Sequence, residues 1–324
     1  MRAADRIAKA LPGQPVLVSC QKDEGPFLLE FVAHHLALGF AAVLIASNDC
    51  TDGSDALLDA LQEAGFCGHV RHSVAAGEMP QVHGFAALRQ SFPLNLASWL
   101  MALDTDEFLN IHAGLGLLPD LLAEIPPEVD ILALNFANFG NQPHQRWQPG
   151  AVCARFRYRL PLAHKSNAPI KSLTRTPANF GAVHSHSMVR FRLQRPIEVM
   201  RADGSRFALP PEARLFDHLR RFQPDQIAHD LAQVNHHPIK TYDSFLLRRA
   251  RGRGGVPLSP DAKLRHTDAY FLDRAAADQR DDSIETYRAA TETLLAEMRA
   301  RAAVRAAEDA CLASYRARLA ALQA

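Results

Sequence analysis

The sequence predicts an α/β fold: a mixed, mostly parallel sheet flanked by helices, with a helical C-terminal extension. Three observations predict it. Short apolar runs alternate with helical patterns between residues 16 and 103, the signature of βαβ units and a parallel sheet. Polar clusters at 19–24, 47–54 and 104–107 each follow an apolar run, and in open α/β sheets ligands gather beyond the carboxyl ends of the strands. From about residue 284 onward the chain is rich in Ala, Leu, Arg and Glu and has no Gly or Pro, which predicts one or two long helices.

Each element has its own warrant. Val16–Ser19 follows Pro15 and reads as a short buried strand. Pro26 suits the first turn of a helix, apolar residues at 28, 32 and 35/36 continue it, and Gly39 suits its C-cap. Ala41–Ala46 reads as the next strand, and the polar turn Ser47–Ser54 leads into a helix over 55–64. Val70–His72 reads as a strand, Gln81–Ser91 as a helix, and Trp99–Leu103 and Ile131–Phe136 as strands. Leu294, Leu295, Met298, Val304, Leu312 and Leu319 form an apolar stripe, expected to pack on the domain rather than form a coiled coil. Ala250–Gly255 (ARGRGG) is expected to be a mobile loop.

The chain has 324 residues and a formal net charge of +1, which gives no global field toward nucleic acid or a bilayer. Its five cysteines form no CxxC pair and are odd in number, which argues against a disulfide framework or zinc ribbon and fits a reducing compartment. No signal-peptide pattern and no run of about 18 apolar residues occurs. The expected location is cytoplasmic, with peripheral contact at the inner face of a membrane left open. Residues 145–222 carry fifteen Lys or Arg against four acids, a local field that would suit a phosphate-bearing ligand or simply solvated strand faces.

Asp104-Thr105-Asp106-Glu107 is the strongest chemical signal. Two carboxylates two residues apart on an extended segment face one way, and at a strand end they can hold a hard divalent cation that binds a diphosphate. Asp49 follows the second strand, where a carboxylate can accept from a base or a ribose hydroxyl; Asp52-Gly53 reads as turn or capping chemistry. His184-Ser185-His186 would put two imidazoles on one face of a strand. His34 and His35 fall in a helix and are expected to be packed or solvated. No P-loop, GxGxxG, GxSxG or HExxH motif is present.

Taken in order, these pieces resemble the family 2-like glycosyltransferases related to family 92. Val16–Ser54, "WLMALDTDEFL", "NFANFGNQPH", "IKSLTR…GAVHSHS" and "AQVNHHPIKTYDSFLLRRARG" follow the family's motifs over residues 16–255. Asp23, His237, Thr241 and Asn141-Gln142-Pro143 depart from them. The resemblance implies a GT-A, Rossmann-like fold and transfer of a sugar from a nucleotide sugar with inversion. It implies Asp106 as a ligand of Mn²⁺ or Mg²⁺, with Asp104 ligating it or holding the ribose and His236 as a further ligand. Asp49 would contact the base and Glu24 the nucleotide pocket, with Ser19 of the same polar cluster beside it. Lys171, Arg175 and Lys240 would neutralise the diphosphate. An inverting transfer needs a base; His144 and Asp217 are the candidates, with Glu107 a rival.

The expected division is 1–255 for the transferase domain, its nucleotide half about 14–110 and its acceptor half about 111–255, then a helical extension over 256–324. The expected partners are a nucleotide-sugar donor and a glycan, lipid-linked or protein acceptor, with no nucleic acid. A nucleotidyltransferase and a non-catalytic sugar-binding module are the alternatives. The loop SCQKDEGP is acidic and poor in Gly, unlike the Gly-rich basic loop of the first.

Overall fold

A computed structural model describes residues 3–251 and 266–322. The loop expected at 250–255 lies mostly outside the described residues. The first half runs α1 (Ala3–Ala10), β1 (Pro15–Gln21), α2 (Gly25–Leu38), β2 (Ala42–Asn48), α3 (Ser54–Glu63), β3 (Gly68–His72), α4 (Pro80–Ser91), β4 (Trp99–Ala102), β5 (Glu107–Ile111), α5 (Leu118–Ala123) and β6 (Ile131–Asn138). It continues through α6 (Val152–Arg155), β7 (Tyr158–Arg159), β8 (Ile170–Arg175), β9 (Phe180–Val183), β10 (Met188–Phe191), β11 (Ile197–Arg201) and β12 (Arg206–Leu209). The last stretch holds α7 (Leu215–His218), β13 (Ala232–His236), α8 (Tyr242–Arg251), α9 (Asp268–Ala275), β14 (Gln279–Arg280), α10 (Arg288–Arg299) and α11 (Ala302–Ala321).

The main sheet has the order β12-β11-β6-β8-β4-β1-β2-β3, with β13 beside β6 and β5 beside β13. Pairs β1–β2, β1–β4, β2–β3, β6–β11 and β6–β13 are parallel; β8 runs antiparallel between β4 and β6. The sheet is the mixed, mostly parallel one expected, flanked by helices and followed by C-terminal helices.

Successive side chains of a strand point to opposite faces, and here both faces are covered. Leu17, Val43 and Ile45 join the core under α2, α3, α10 and α11, whereas Val16, Val18, Leu44 and Ala46 join the one under α1 and α4. That two-sided burial is why the strands read as unbroken apolar runs. Gly39 closes α2 in the left-handed region, φ 109°, as the sequence indicated.

The C-terminal stripe packs on the domain. Leu295, Met298, Val304 and Leu319 are buried in the α2-side core, with Cys311 and Tyr315 beside them; Leu312 is only half-buried. The helix pair is preceded by a 3₁₀ segment, Ser283–Tyr287. A Cβ on Gly25 would lie 2.6 Å from the Cβ of Cys311, so the bare glycine is what lets α11 approach the start of α2. Among the described residues no helix is long and apolar enough to cross a membrane, and the five cysteines are unpaired.

His34 and His35 are both fully packed on α2. His34 Nε2 donates to Leu109 O at 2.8 Å and His35 Nδ1 to Phe31 O at 2.8 Å. Burial pushes the His34 pKa down to about 4 and that of His35 well below its ordinary value, with His34 adding to the second shift. The unfolded chain therefore takes up protons that the folded one refuses. The stability from keeping His34 neutral is complete above about pH 6.5 and is lost as pH falls toward 4, amounting to about 3 kcal/mol. Urea unfolding at pH 7.5 and pH 5 should show the lower stability at pH 5; equal stabilities would mean that the imidazoles are solvated.

Candidate active site

The carboxyl ends of β1, β2, β4, β6 and β13 lie along one edge of the sheet, because these strands run parallel. The antiparallel β8 brings its amino end to the same edge, with Lys171 opposite Leu134 of β6 and Leu173 opposite Met101 of β4. The loops that follow these strands build the site.

β4 stops at Ala102, and the chain turns through Asp104–Asp106 before β5 begins at Glu107. The Glu107 N–H donates to Asp104 O at 2.9 Å, and the Asp104 N–H donates back to Glu107 Oε2 at 2.8 Å. The two aspartates are thus on a tight turn, not the extended segment that the spacing suggested, and their carboxylates take different partners. Asp104 accepts from Gln81 Nε2 at 3.0 Å and faces Lys171 Nζ at 3.3 Å. Asp106 is buried against the Arg248 guanidinium, with His236 Nε2 at 3.5 Å from Oδ2. The ligand atoms of Asp104, Asp106 and His236 do not gather within 4.8 Å of one another; among the described residues Asp23, Cys50 and Asp52 do. In that acidic group Asp52 already accepts from the Gly25 and Ser54 N–H groups, a structural duty.

His236 is presented by β13. Asn138 Nδ2 donates to Ser166 O at 2.8 Å, which turns its Oδ1 toward His236 Nδ1, 2.9 Å away. Nδ1 therefore carries the proton, and the lone pair of Nε2 faces Asp106. Burial outweighs Asp106 and pushes the His236 pKa down to about 4, so the ring is neutral at neutral pH. Burial also opposes charge on Asp106, but the Arg248 guanidinium outweighs it and holds the carboxyl well below its usual range. A bare imidazole nitrogen beside a carboxylate is a donor set for a cation.

A cleft opens next to this pair, between the loop after β1, the segment 238–240, α8 and α11. Lys240, itself in the left-handed region at φ 50°, holds its ammonium 4.3 Å from the centre of the Phe27 ring. Burial pushes the Lys240 pKa down, against the pull of Glu24 and Asp106. Arg251 pairs with Glu24 and donates to Lys22 O.

Sequence and structure part at several of the remaining residues. Glu24 lines the cleft, paired with Arg251. Asp49 is exposed at the end of β2 with φ 46°. Ser19 is fully buried within β1, its hydroxyl accepting from Gln21 Nε2. Lys171 is buried and held by Asp104 and by Glu107 at 2.7 Å, so it is not free for a diphosphate. Arg175 lies at the opposite edge of the sheet, about 13 Å along β8 from Lys171. There it pairs with the carbonyls of Val129, Ile125 and Pro126 and lies over Trp99; its expected diphosphate contact is corrected. Asp217 is exposed on the short α7 and faces Arg214 at 3.6 Å. His144 is removed from His236: its ring meets Phe156 at 5.5 Å, and Phe156 meets His237 at 6.4 Å. His184 and His186 lie in the turn after β9 rather than on a strand, their rings 6.1 Å apart.

Arg248, Arg251, Tyr315 and Arg318 line the same cleft, and the sequence analysis assigns none of them a role. The first two lie in the segment "FLLRRARG", whose cations gave a signal without a role.

A glycosyltransferase family 92 protein of Ricinus communis is 27% identical over 190 residues, covering 56% of this chain and 33% of that protein. The chain is similar in sequence to the family 92 glycosyltransferases. It spans about a third of the length of the relative it matches. No protein-family model matches the chain. Among solved structures, S. aureus TarS 1-349 in complex with UDP-GlcNAc overlaps at a TM-score of 0.33 and 13% identity, covering 96% of this chain and 91% of that one. A second S. aureus TarS structure overlaps at 0.33 and 14%, covering 94% and 54%. Scores this low carry no inference about chemistry.

Proposed function

We propose that this chain is a glycosyltransferase that moves a sugar from a nucleotide sugar to a hydroxyl of a glycan, lipid-linked or protein acceptor, with inversion. The observation that carries the reading is the Asp106–His236 pair beside a cationic cleft at the carboxyl ends of the strands, in a chain similar to family 92. Residues to about 110 would serve the nucleotide and 111–255 the acceptor.

The donor set fits a divalent metal. Asp106 and His236 Nε2 would hold Mn²⁺ or Mg²⁺, with the half-buried Asp104 on the same turn for the ion or the ribose. Such an ion supplies positive charge against the leaving nucleoside diphosphate. The chain's own cations would act in the same sense: Lys240, Arg248 and Arg251 line the cleft, the two arginines paired with Asp106 and Glu24, and their charge would favour a diphosphate there. Asn138 orients His236, and Arg248 neutralises Asp106. Glu24 and Asp49 are placed on the loops that would hold the nucleoside. His144 and Asp217 stay as proposed bases that would take the acceptor proton, on the acceptor half of the chain.

The purified protein should be incubated with UDP-, GDP-, CDP- and dTDP-sugars, with Mn²⁺ or Mg²⁺ and with chelator. The expected result is turnover of one donor class, stopped by the chelator, with the anomeric configuration of the product inverted. Binding of sugars without turnover of any donor would instead favour the non-catalytic module.

A further inference from the structure

We infer that the C-terminal helix α11 is part of the donor site, with Arg318 positioning the two loops that hold the nucleoside. The inference rests on the transferase reading above.

Arg318 bridges the loop after β1 and the loop after β2. One of its nitrogens, Nη1, donates to Asp23 Oδ2 at 3.2 Å, and the other, Nη2, donates to Thr51 Oγ1 at 2.6 Å. The loops are also joined directly, the Thr51 N–H donating to Asp23 Oδ1 at 2.7 Å. Asp23 and Asp49 both sit in the left-handed region, at φ 52° and 46°, a conformation that non-glycine residues keep only when their surroundings hold it. From the other side Arg251 of α8 donates to Lys22 O and pairs with Glu24. The Asp23–Glu24 segment is thereby gripped by two arginines from two helices, 67 positions apart in sequence (318 − 251).

The helix that carries Arg318 is itself fixed at the cleft. Tyr315 lies three residues earlier on the same helix face. Its ring meets Phe27 edge-on at 5.8 Å and Trp147 at 4.8 Å. Cys311, one turn before that, occupies the space left by the absent side chain of Gly25. Tyr315 and Arg318 both line the cleft that Lys240, Arg248 and Arg251 line. A planar guanidinium can donate to both loops at once, which a lysine ammonium on one stem does less well. Arg318 also offsets the Asp23 carboxylate, which would otherwise repel an incoming diphosphate.

The test is the affinity of the full chain for UDP, GDP, CDP and dTDP with Mn²⁺, compared across three variants. Arg318→Ala should weaken binding of the preferred nucleotide about tenfold, since loop misplacement of the order of 1 Å has effects of this size or larger. Its donor KM should rise while kcat changes little. Arg318→Lys should fall between the two. Arg299→Ala breaks a pair with Glu308 (2.7 Å) outside the cleft; it should lower the melting temperature and leave nucleotide affinity unchanged. Wild-type affinity in Arg318→Ala, or an equal loss in Arg299→Ala, would overturn the inference while leaving the transferase reading intact. A wild-type chain that binds none of the nucleotides would overturn both.

Discussion

Asp106→Asn is expected to lower nucleotide-sugar turnover by about a thousandfold, the upper range for removing one stabilising group from an active site. The physical reason is the loss of charge at the one buried carboxylate that faces the bare His236 nitrogen. Asparagine has almost the same volume, so packing should survive. The cost falls on Arg248, which loses its anionic partner but keeps its bond to Pro238 O at 2.7 Å and still opens to the cleft. The folded chain should therefore persist with a lower melting temperature. Three readouts separate the roles: turnover, Mn²⁺ binding followed by the loss of its free-ion paramagnetic resonance signal, and thermal melting. Full turnover in the variant, insensitive to chelator, would remove Asp106 from the site.

Lys171→Met should be the most damaging single change to stability among the site residues, about 3–5 kcal/mol, as for breaking a buried pair from one side. Lys171 and Glu107 are both almost wholly buried, 2.7 Å apart. Burial would push the Lys171 ammonium down, yet Asp104 and Glu107 outweigh it and hold its pKa above the ordinary value. Burial raises the Glu107 carboxyl, Lys171 opposes this, and Asp104 and Asp106 add to it. Removing the lysine would leave three acids, Asp104, Asp106 and Glu107, crowded on one turn. The double variant Lys171→Met/Glu107→Gln should recover part of the loss, because no charge is then stranded between them. Urea unfolding of the four members of this cycle checks it. Additive losses would mean that the two side chains act independently.

Much of the fold was legible because local rules and tertiary structure agree. Strands β1, β2 and β4 are apolar on both faces and are punctuated by Pro, Gly and Asp, so their runs stand out. Helix α2 announced itself by Pro26 and Gly39. Strand β8 is not legible in "IKSLTR", because its buried Lys171, Ser172 and Thr174 break the apolar run that marks the other strands. Of the candidate site, Asp104 and Asp106 stand out in the sequence by their position after an apolar run, but not their geometry: a turn, closed by one backbone bond and one backbone-to-side-chain bond between 104 and 107, separates carboxylates that an extended strand would align. Lys171 and Arg175 looked alike as cations on one segment, and only the sheet edge each reaches distinguishes them. Arg318 carried no signal. It sits among other arginines on an Ala-rich helix, 295 residues after the aspartate it holds, and nothing local marks a contact made by the docking of a helix.

The central claim is that the cleft beside Asp106 and His236 takes a metal-bound nucleoside diphosphate. The most direct measurement is the melting temperature of the purified chain with UDP, GDP, CDP and dTDP, each with and without Mn²⁺. A ligand that binds only the folded chain stabilises it by about 2.7 kcal/mol at a hundred times its Kd. The account predicts a rise with one nucleotide that requires Mn²⁺ and disappears in Asp106→Asn. No rise with any nucleotide, or a rise that Asp106→Asn and chelator leave untouched, would contradict it.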